Sequence, residues 1–307
     1  MSQIEERQYK RLLVPLDGSK LAEAVLPAVV GIAHRASAAV TLIHVLEERA
    51  PTTIHGEKHL LDVPDAEGYI DGVVARLRAE GVDVQAHVHE APEGDVARSI
   101  VEHLEEFAPD LVVLCAHGPG GLRGFVSGRV GQQVLQQGTR PILLLQPGRH
   151  GEPPDFDLRS VLVPLDGAAE HEGALASAVP MARLFVAVLH LLYVVPTVAT
   201  LADERARSAM LLPTAMRAIL DMTQERGSEY LDQVAGQCRA RGLSVTAEVL
   251  RGSTVSALLK RANKLHADLI VMESHGRAGL SAFLTGSVAP RLMAKVKSPL
   301  LLVRAQD

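Results

Sequence analysis

The chain has 307 residues, with 31 Lys and Arg against 36 Asp and Glu, 47% apolar and 22% charged residues. That length accommodates two ordinary domains, each able to bury a core. The formal charge of −5 is mild and spread over both halves, and no basic stripe interleaved with aromatics occurs, which argues against nucleic acid as a partner.

The opening segment MSQIEERQYKRLLVPLDGS has no apolar stretch ahead of a small-residue cleavage site, so secretion is not expected. The longest apolar runs, LVVLCA, PILLLQ and SPLLLV, are of strand length and argue against a membrane span. Cys115 and Cys238 have neither disulfide nor metal-ligand spacing, and a cytoplasmic location is expected. With no Trp and few other aromatics, the cores must be built from Val, Leu, Ile and Ala.

In chain order, short Leu- and Val-rich runs alternate with helical patterns, the signature of βαβ units and a parallel sheet. Strands are expected near 11–16, 39–46, 82–89, 110–116 and 141–146, and helices near 20–35, 66–80, 94–107 and 128–137. A second series follows, with strands near 159–165, 186–195, 243–250, 268–273 and 299–304, and helices near 170–184, 214–241, 252–266 and 287–297. The strands read as continuous apolar runs, as when helices cover both faces of a sheet. Irregular stretches at 47–64 and 196–212 exceed a typical connection, which suits segments that wrap over neighbouring elements or a ligand mouth.

The two series are copies of one unit. RLLVPLDGS at 11–19 matches SVLVPLDGA at 160–168, DLVVLCAHG at 110–118 matches DLIVMESHG at 268–276, and RPILLLQ at 140–146 matches SPLLLVR at 298–304. The first domain is placed at 1–149, the second at 158–307, and the polar, Pro-containing segment 150–157 is the linker between them. The last strand of each copy is apolar and would form an unprotected edge. Pairing of these two strands about a pseudo-twofold axis removes both edges.

Ligands of open parallel sheets bind beyond the carboxyl ends of the strands, where the strand order reverses. Two segments per copy reach that place. One is the turn after the first strand, with Pro15, Leu16 and Asp17 matched by Pro164, Leu165 and Asp166. Each Asp brings a carboxylate to the crevice or caps the following helix. The other follows the fourth strand. Cys115-Ala116-His117-Gly118 leads after nine residues to Gly128-Arg129, and Glu273-Ser274-His275-Gly276 leads after nine to Gly286-Ser287. Glycines at a strand end and a helix start allow close backbone approach and leave N–H groups for an anion.

On these motifs, the VPLDG turn, the HG element nine residues before a second glycine, and the closing apolar strand, the chain resembles a tandem universal stress protein over nearly its whole length. The resemblance implies an α/β fold with a five-stranded parallel sheet of order 3-2-1-4-5 in each copy, paired through the last strands as an intramolecular pseudo-dimer. It also implies that some members bind ATP through G-x-x-G, nine residues, G-(S/T), while others bind no nucleotide. Gly276, Gly286 and Ser287 match that pattern in the second copy, with Glu273 at the first glycine. In the first copy Gly118 and Gly128 match, with Cys115 at the first glycine and Arg129 at the hydroxyl.

By the same resemblance Asp17 and Asp166 face the adenosine, with Val45 and Leu191 beside the base and Leu114 and Met272 supplying backbone near it. His117 and His275 precede the loop glycines, and Val130 and Val288 complete the set at the next helix start. The expected ligand is ATP, or AMP or ADP, with or without Mg²⁺. Glu273 would oppose a phosphate by up to roughly 4 kcal/mol at about 4 Å and an effective dielectric of 20, unless Mg²⁺ bridges the two. Copy one is therefore expected to hold the nucleotide more readily.

The implied role is a cytoplasmic stress-response regulator or sensor with a protein partner, its loops at 117–127 and 274–285 ordered by occupancy. A nucleotide-free interaction module and a slow ATPase are the alternatives, and further homodimerisation stays open. No residue set is arranged as base, water positioner and charge-stabilising finger, so no catalytic residue is assigned. His44 and His190 read as matched, hydrogen-bonded strand histidines, and Cys115 as an unreactive thiol. His55 and His59 have the spacing of a metal pair but stand on an irregular segment, and no metal ligand is assigned.

Overall fold

The structure is a computed structural model that describes residues 6–54, 57–116, 133–134, 137–148, 151–168, 172–201, 211–274, 288–293 and 295–304. The first copy contains β1 (Arg11–Pro15), α1 (Lys20–Glu23), α2 (Leu26–Ala36), β2 (Ala39–Glu47), the short hairpin β3 (Thr53–Ile54) and β4 (Glu57–Lys58), α3 (Val63–Ala79), β5 (Val84–Ala91), α4 (Val96–Glu106), β6 (Leu111–Cys115) and β7 (Ile142–Leu145). The second contains β8 (Ser160–Leu165), α5 (Gly173–Phe185), β9 (Val188–Val195), a 3-10 turn (Val198–Thr200), α6 (Pro213–Ala240), β10 (Val245–Arg251), α7 (Thr254–Leu265), β11 (Leu269–Ser274), α8 (Val288–Met293) and β12 (Leu300–Arg304).

The expected first helix is divided. Pro27 is the second residue of α2 and has no N–H to donate back into the preceding turn, so the chain breaks between α1 and α2. The start of α3 lies at Val63, because Asp62 accepts a hydrogen bond from the Asp65 N–H at 2.8 Å and Pro64 fills the first turn. Of the helix expected at 128–137, most lies outside the described residues.

All strands but the hairpin pair join one ten-stranded sheet of order β10-β9-β8-β11-β12-β7-β6-β1-β2-β5. Each copy is parallel, and the strand order reverses between β1 and β6 and between β8 and β11. At the centre β7 and β12 pair antiparallel, with Leu144 opposite Leu300, Leu143 opposite Leu301 and Ile142 opposite Leu302. These leucines are fully or almost fully buried, so the seam satisfies backbone groups and removes apolar surface together.

Two layers cover the sheet. One apolar cluster packs α2, α3, α5 and α6 against one face, and a second packs α4, α7 and α8 against the other. Contacts beyond the strands also join the copies: the Tyr9 hydroxyl donates to the Ser177 carbonyl at 2.8 Å, Arg183 pairs with Glu6, and the Arg35 guanidinium lies 4.3 Å over the Phe185 ring. The outermost strands depart from the expected continuous apolar pattern. β5 (VQAHVHEA) and β10 (VTAEVLR) are largely half-exposed or exposed, since each has a single neighbouring strand and only partial helix cover, from α3 and part of α4 on β5 and mainly from α6 on β10.

Candidate functional site

The crevice of copy one lies at the carboxyl ends of β1 and β6. Asp17 Oδ1 accepts from the Ser19 N–H at 2.9 Å and from its hydroxyl at 2.7 Å, and Ser19 Oγ accepts from the Ala22 N–H at 3.1 Å. Ser19 is thus the helix cap and Asp17 its brace. Gly18 has φ +88°, and a Cβ there would stand 2.9 Å from Leu60 Cδ1. The irregular segment after β2 accordingly lies across this turn, and the Lys20 N–H donates to Glu57 at 3.3 Å.

Beneath the turn, His44 Nδ1 donates to the Leu16 carbonyl at 2.8 Å. His44 is fully buried, and its Nε2 has no hydrogen-bond partner among the described residues. Burial pushes its pKa down and holds the ring neutral. Tyr69 stands edge-on to it, centroids 6.3 Å apart, its own pKa pushed up by burial and then by Glu23. The Cys115 thiol at the end of β6 donates to the Leu21 carbonyl at 2.9 Å, and burial, with Asp17 adding to it, pushes the thiol up to about 12.

The matching crevice of copy two is built from different chemistry. Glu273 stands where copy one has Cys115, and its carboxylate lies against Gly173, where a Cβ would meet Oε2 at 3.1 Å. Gly173 opens α5, so the carboxylate sits at the electropositive end of a helix. Asp166 Oδ1 accepts from the Ala168 N–H at 3.0 Å, and the Tyr230 hydroxyl donates to Glu172 at 3.0 Å. Tyr193 fits between two glycines: a Cβ at Gly167 would be 3.0 Å from its ring and one at Gly227 2.8 Å. Burial, then Asp166, raises the pKa of this tyrosine. Among the described residues this rim therefore carries three carboxylates, from Asp166, Glu172 and Glu273.

The strand registers place the expected residues. Pro15, Leu16, Asp17, Val45, Leu114 and Cys115 gather around the end of β1 and its neighbours β2 and β6, and Pro164, Leu165, Asp166, Met272 and Glu273 occupy the matching places in copy two. Val288 opens α8. His117, Gly118, Gly128, Arg129, Val130, His275, Gly276, Gly286 and Ser287 lie outside the described residues.

Two expected equivalences are corrected by register. Val14 pairs with Leu42 in copy one and Val163 with Leu191 in copy two, so Leu191 corresponds to Leu42. It is fully buried in the core, and the counterpart of Val45 is Val194. By the same count His44 matches Tyr193, not His190. His190 lies earlier on β9, with Nδ1 2.7 Å from the Thr246 hydroxyl. Counting from the VPLDG turn instead of matching histidines finds Tyr193 and Val194. Leu60, Tyr69 and Tyr230 have no such signal, because distant elements bring them to the rims. A separate groove of about 430 Å³ opens between α1, α2, the end of α3 and Pro153, and none of the expected contacts lines it. Among the described residues no helix is long and apolar enough to cross a membrane.

The sequence profile of the Universal stress protein family matches residues 8–146 and again 158–304. A universal stress protein of Methanocaldococcus jannaschii is 30% identical over 146 residues, covering 48% of this chain and 82% of the relative. The universal stress protein YxiE of Bacillus subtilis is 28% identical over 148 residues, 45% of this chain and 99% of that protein. Each relative thus corresponds to about one copy. The crystal structure of a universal stress protein from Archaeoglobus fulgidus superposes over 98% of both chains with a TM-score of 0.67 at 15% identity, a likeness of fold. With its profile matched twice and the ten-stranded sheet built from two like halves, the chain belongs to the universal stress protein family.

Proposed function

We propose that the protein is a stress-response regulator that binds an adenine nucleotide in the crevice between β1 and β6, with the first copy as the stronger site. The observation carrying this reading is the contrast between Cys115 and Glu273. At the first glycine of the family's phosphate-binding pattern copy one has a small, neutral thiol turned onto the Leu21 carbonyl. Copy two places a carboxylate there, beside Asp166 and Glu172. A nucleotide phosphate entering copy two meets like charge, whereas in copy one it does not meet this group. Mg²⁺ reverses the sign in copy two by bridging carboxylate and phosphate, which oxygen ligands of both kinds suit.

In this assignment Val45 lies beside the base, Leu114 supplies backbone near it and Asp17 faces the adenosine. Calorimetric titration of the full chain with ATP, in EDTA and then in Mg²⁺, tests it. One metal-independent site is expected, lost on Val45→Arg, and a second site is expected to gain affinity on Glu273→Gly. Absence of binding in either buffer, or binding untouched by Val45→Arg and abolished by Glu273→Gly, overturns the reading.

A further inference from the structure

We propose that His87, His89 and His103 form a binding site for a late first-row divalent cation of the zinc class. His87 and His89 alternate on β5 and so point to one face of the sheet. That face is covered by α4, which contributes the buried His103. The three imidazoles converge: ring centroids of His87 and His103 are 4.8 Å apart, those of His89 and His103 4.7 Å, and one ligand nitrogen from each ring lies within 4.8 Å of the others. Nitrogens on a tetrahedral zinc ion, each at about 2.0–2.1 Å, stand about 3.4 Å apart. Closing the cluster therefore takes side-chain movement of roughly 1.5 Å or less, which the half-exposed β5 allows.

The surroundings complete the site. His103 Nδ1 lies 2.6 Å from the Ser99 carbonyl and donates to it, which leaves the Nε2 lone pair facing the cluster. This is the outer-shell arrangement that orients a metal-bound imidazole. Nε2 of His103 lies 3.0 Å from Nε2 of His87 and 3.7 Å from a Glu106 carboxylate oxygen. Glu106 or water supplies a fourth ligand. Phe107 stacks on His103 and meets His87 edge-on, closing one side of the cluster. Three imidazoles with a carboxylate or water as fourth ligand suit Zn²⁺, Ni²⁺ or Cu²⁺, not Mg²⁺ or Ca²⁺.

The second copy provides an internal comparison. Val84 and Val245 occupy the same register position, opposite Val40 and Leu189, so His87 corresponds to Glu248. Counting back from Leu111 and Leu269 through the left-handed residues Ala108 and His266 aligns His103 with Arg261. Glu248 and Arg261 form an ion pair. Where copy two joins its outer strand to the helix with opposite charges, copy one presents three lone-pair donors, which a cation can join.

The test uses the untagged, metal-free full chain. Zn²⁺ is titrated by calorimetry, Co²⁺ by its visible absorption, and melting is followed with each metal. One equivalent of zinc is expected, with a raised melting temperature and cobalt bands of a four-coordinate site. His89→Ala should weaken zinc binding about 10- to 100-fold or more. The double variant His87→Glu with His103→Arg, which installs the ion pair of copy two, should remain folded and bind no zinc at this site. The proposal is overturned if zinc neither binds stoichiometrically nor shifts melting, as expected of a merely hydrogen-bonded His87–His103 pair, or if His89→Ala binds zinc as the parent does.

Discussion

Exchanging the residues at positions 115 and 273 should have unequal costs, because their surroundings have opposite polarity. In Cys115→Glu a carboxylate replaces a thiol that donates to the Leu21 carbonyl. The lost hydrogen bond is worth about 1 kcal/mol, and the new charge faces both that carbonyl and Asp17, whose charge already acts on position 115. Two like charges about 6 Å apart repel by roughly 3 kcal/mol at an effective dielectric of 20, and partial exposure reduces this. A total destabilisation of about 2–4 kcal/mol is expected.

Glu273→Cys instead removes a carboxylate from the start of α5, a loss of about 0.3–1 kcal/mol. Relief of its repulsion from Asp166 and Glu172 on the same rim offsets this loss, so the net cost should be small. Urea unfolding at pH 7.5, followed by far-ultraviolet dichroism and by tyrosine fluorescence, measures both. The penalty of Cys115→Glu should shrink as the pH drops toward 5, since a protonated carboxyl can donate to Leu21. Equal costs, or a neutral Cys115→Glu, would refute the polarity argument at both rims.

Other consequences are equally open to measurement. With its thiol held at about 12, Cys115 should react with iodoacetamide at pH 8 about 1,000-fold more slowly than an ordinary cysteine; unfolding in urea should abolish the difference. Gly227→Ala gains up to about 1 kcal/mol of helix propensity but sets a Cβ 2.8 Å from the Tyr193 ring, and the net effect should be destabilising by about 1–2 kcal/mol in urea unfolding. Gly18→Ala should cost about 1–2 kcal/mol from its positive φ, and adding Leu60→Ala should relieve only the steric part. Burial lowers the pKa of His44 and His190, so the unfolded chain binds more protons below its histidine pKa near 6.5. The stability they contribute is complete above that pH and is lost as pH falls; His44→Asn should flatten this acid limb in a melting series.

The internal repeat was legible because its motifs recur in order, and the parallel sheet because the inner strands are unbroken apolar runs. The uncharged PILLLQ and SPLLLV strands pointed to the central seam, since an apolar edge has to be covered. The alternating, partly polar β5 and β10 were blurred as continuous runs, because coverage by helices is a property of the assembled layers. His44 and His190 do not correspond, for a local reason: they stand at different distances from the shared turn, and an odd register step moves a side chain to the other face.

What the sequence determined by itself is the βαβ alternation, the duplication and the turns at the carboxyl ends of the strands, all written in short-range periodicity and fixed spacing. The tertiary structure decided the environment of each side chain. Glu273 faces a helix start while Cys115 faces a carbonyl, Leu60 and Tyr193 pack into glycine gaps, and His103 meets His87 and His89 through the docking of α4 on β5. Such encounters depend on which surfaces pack together, and packing is set by the whole chain.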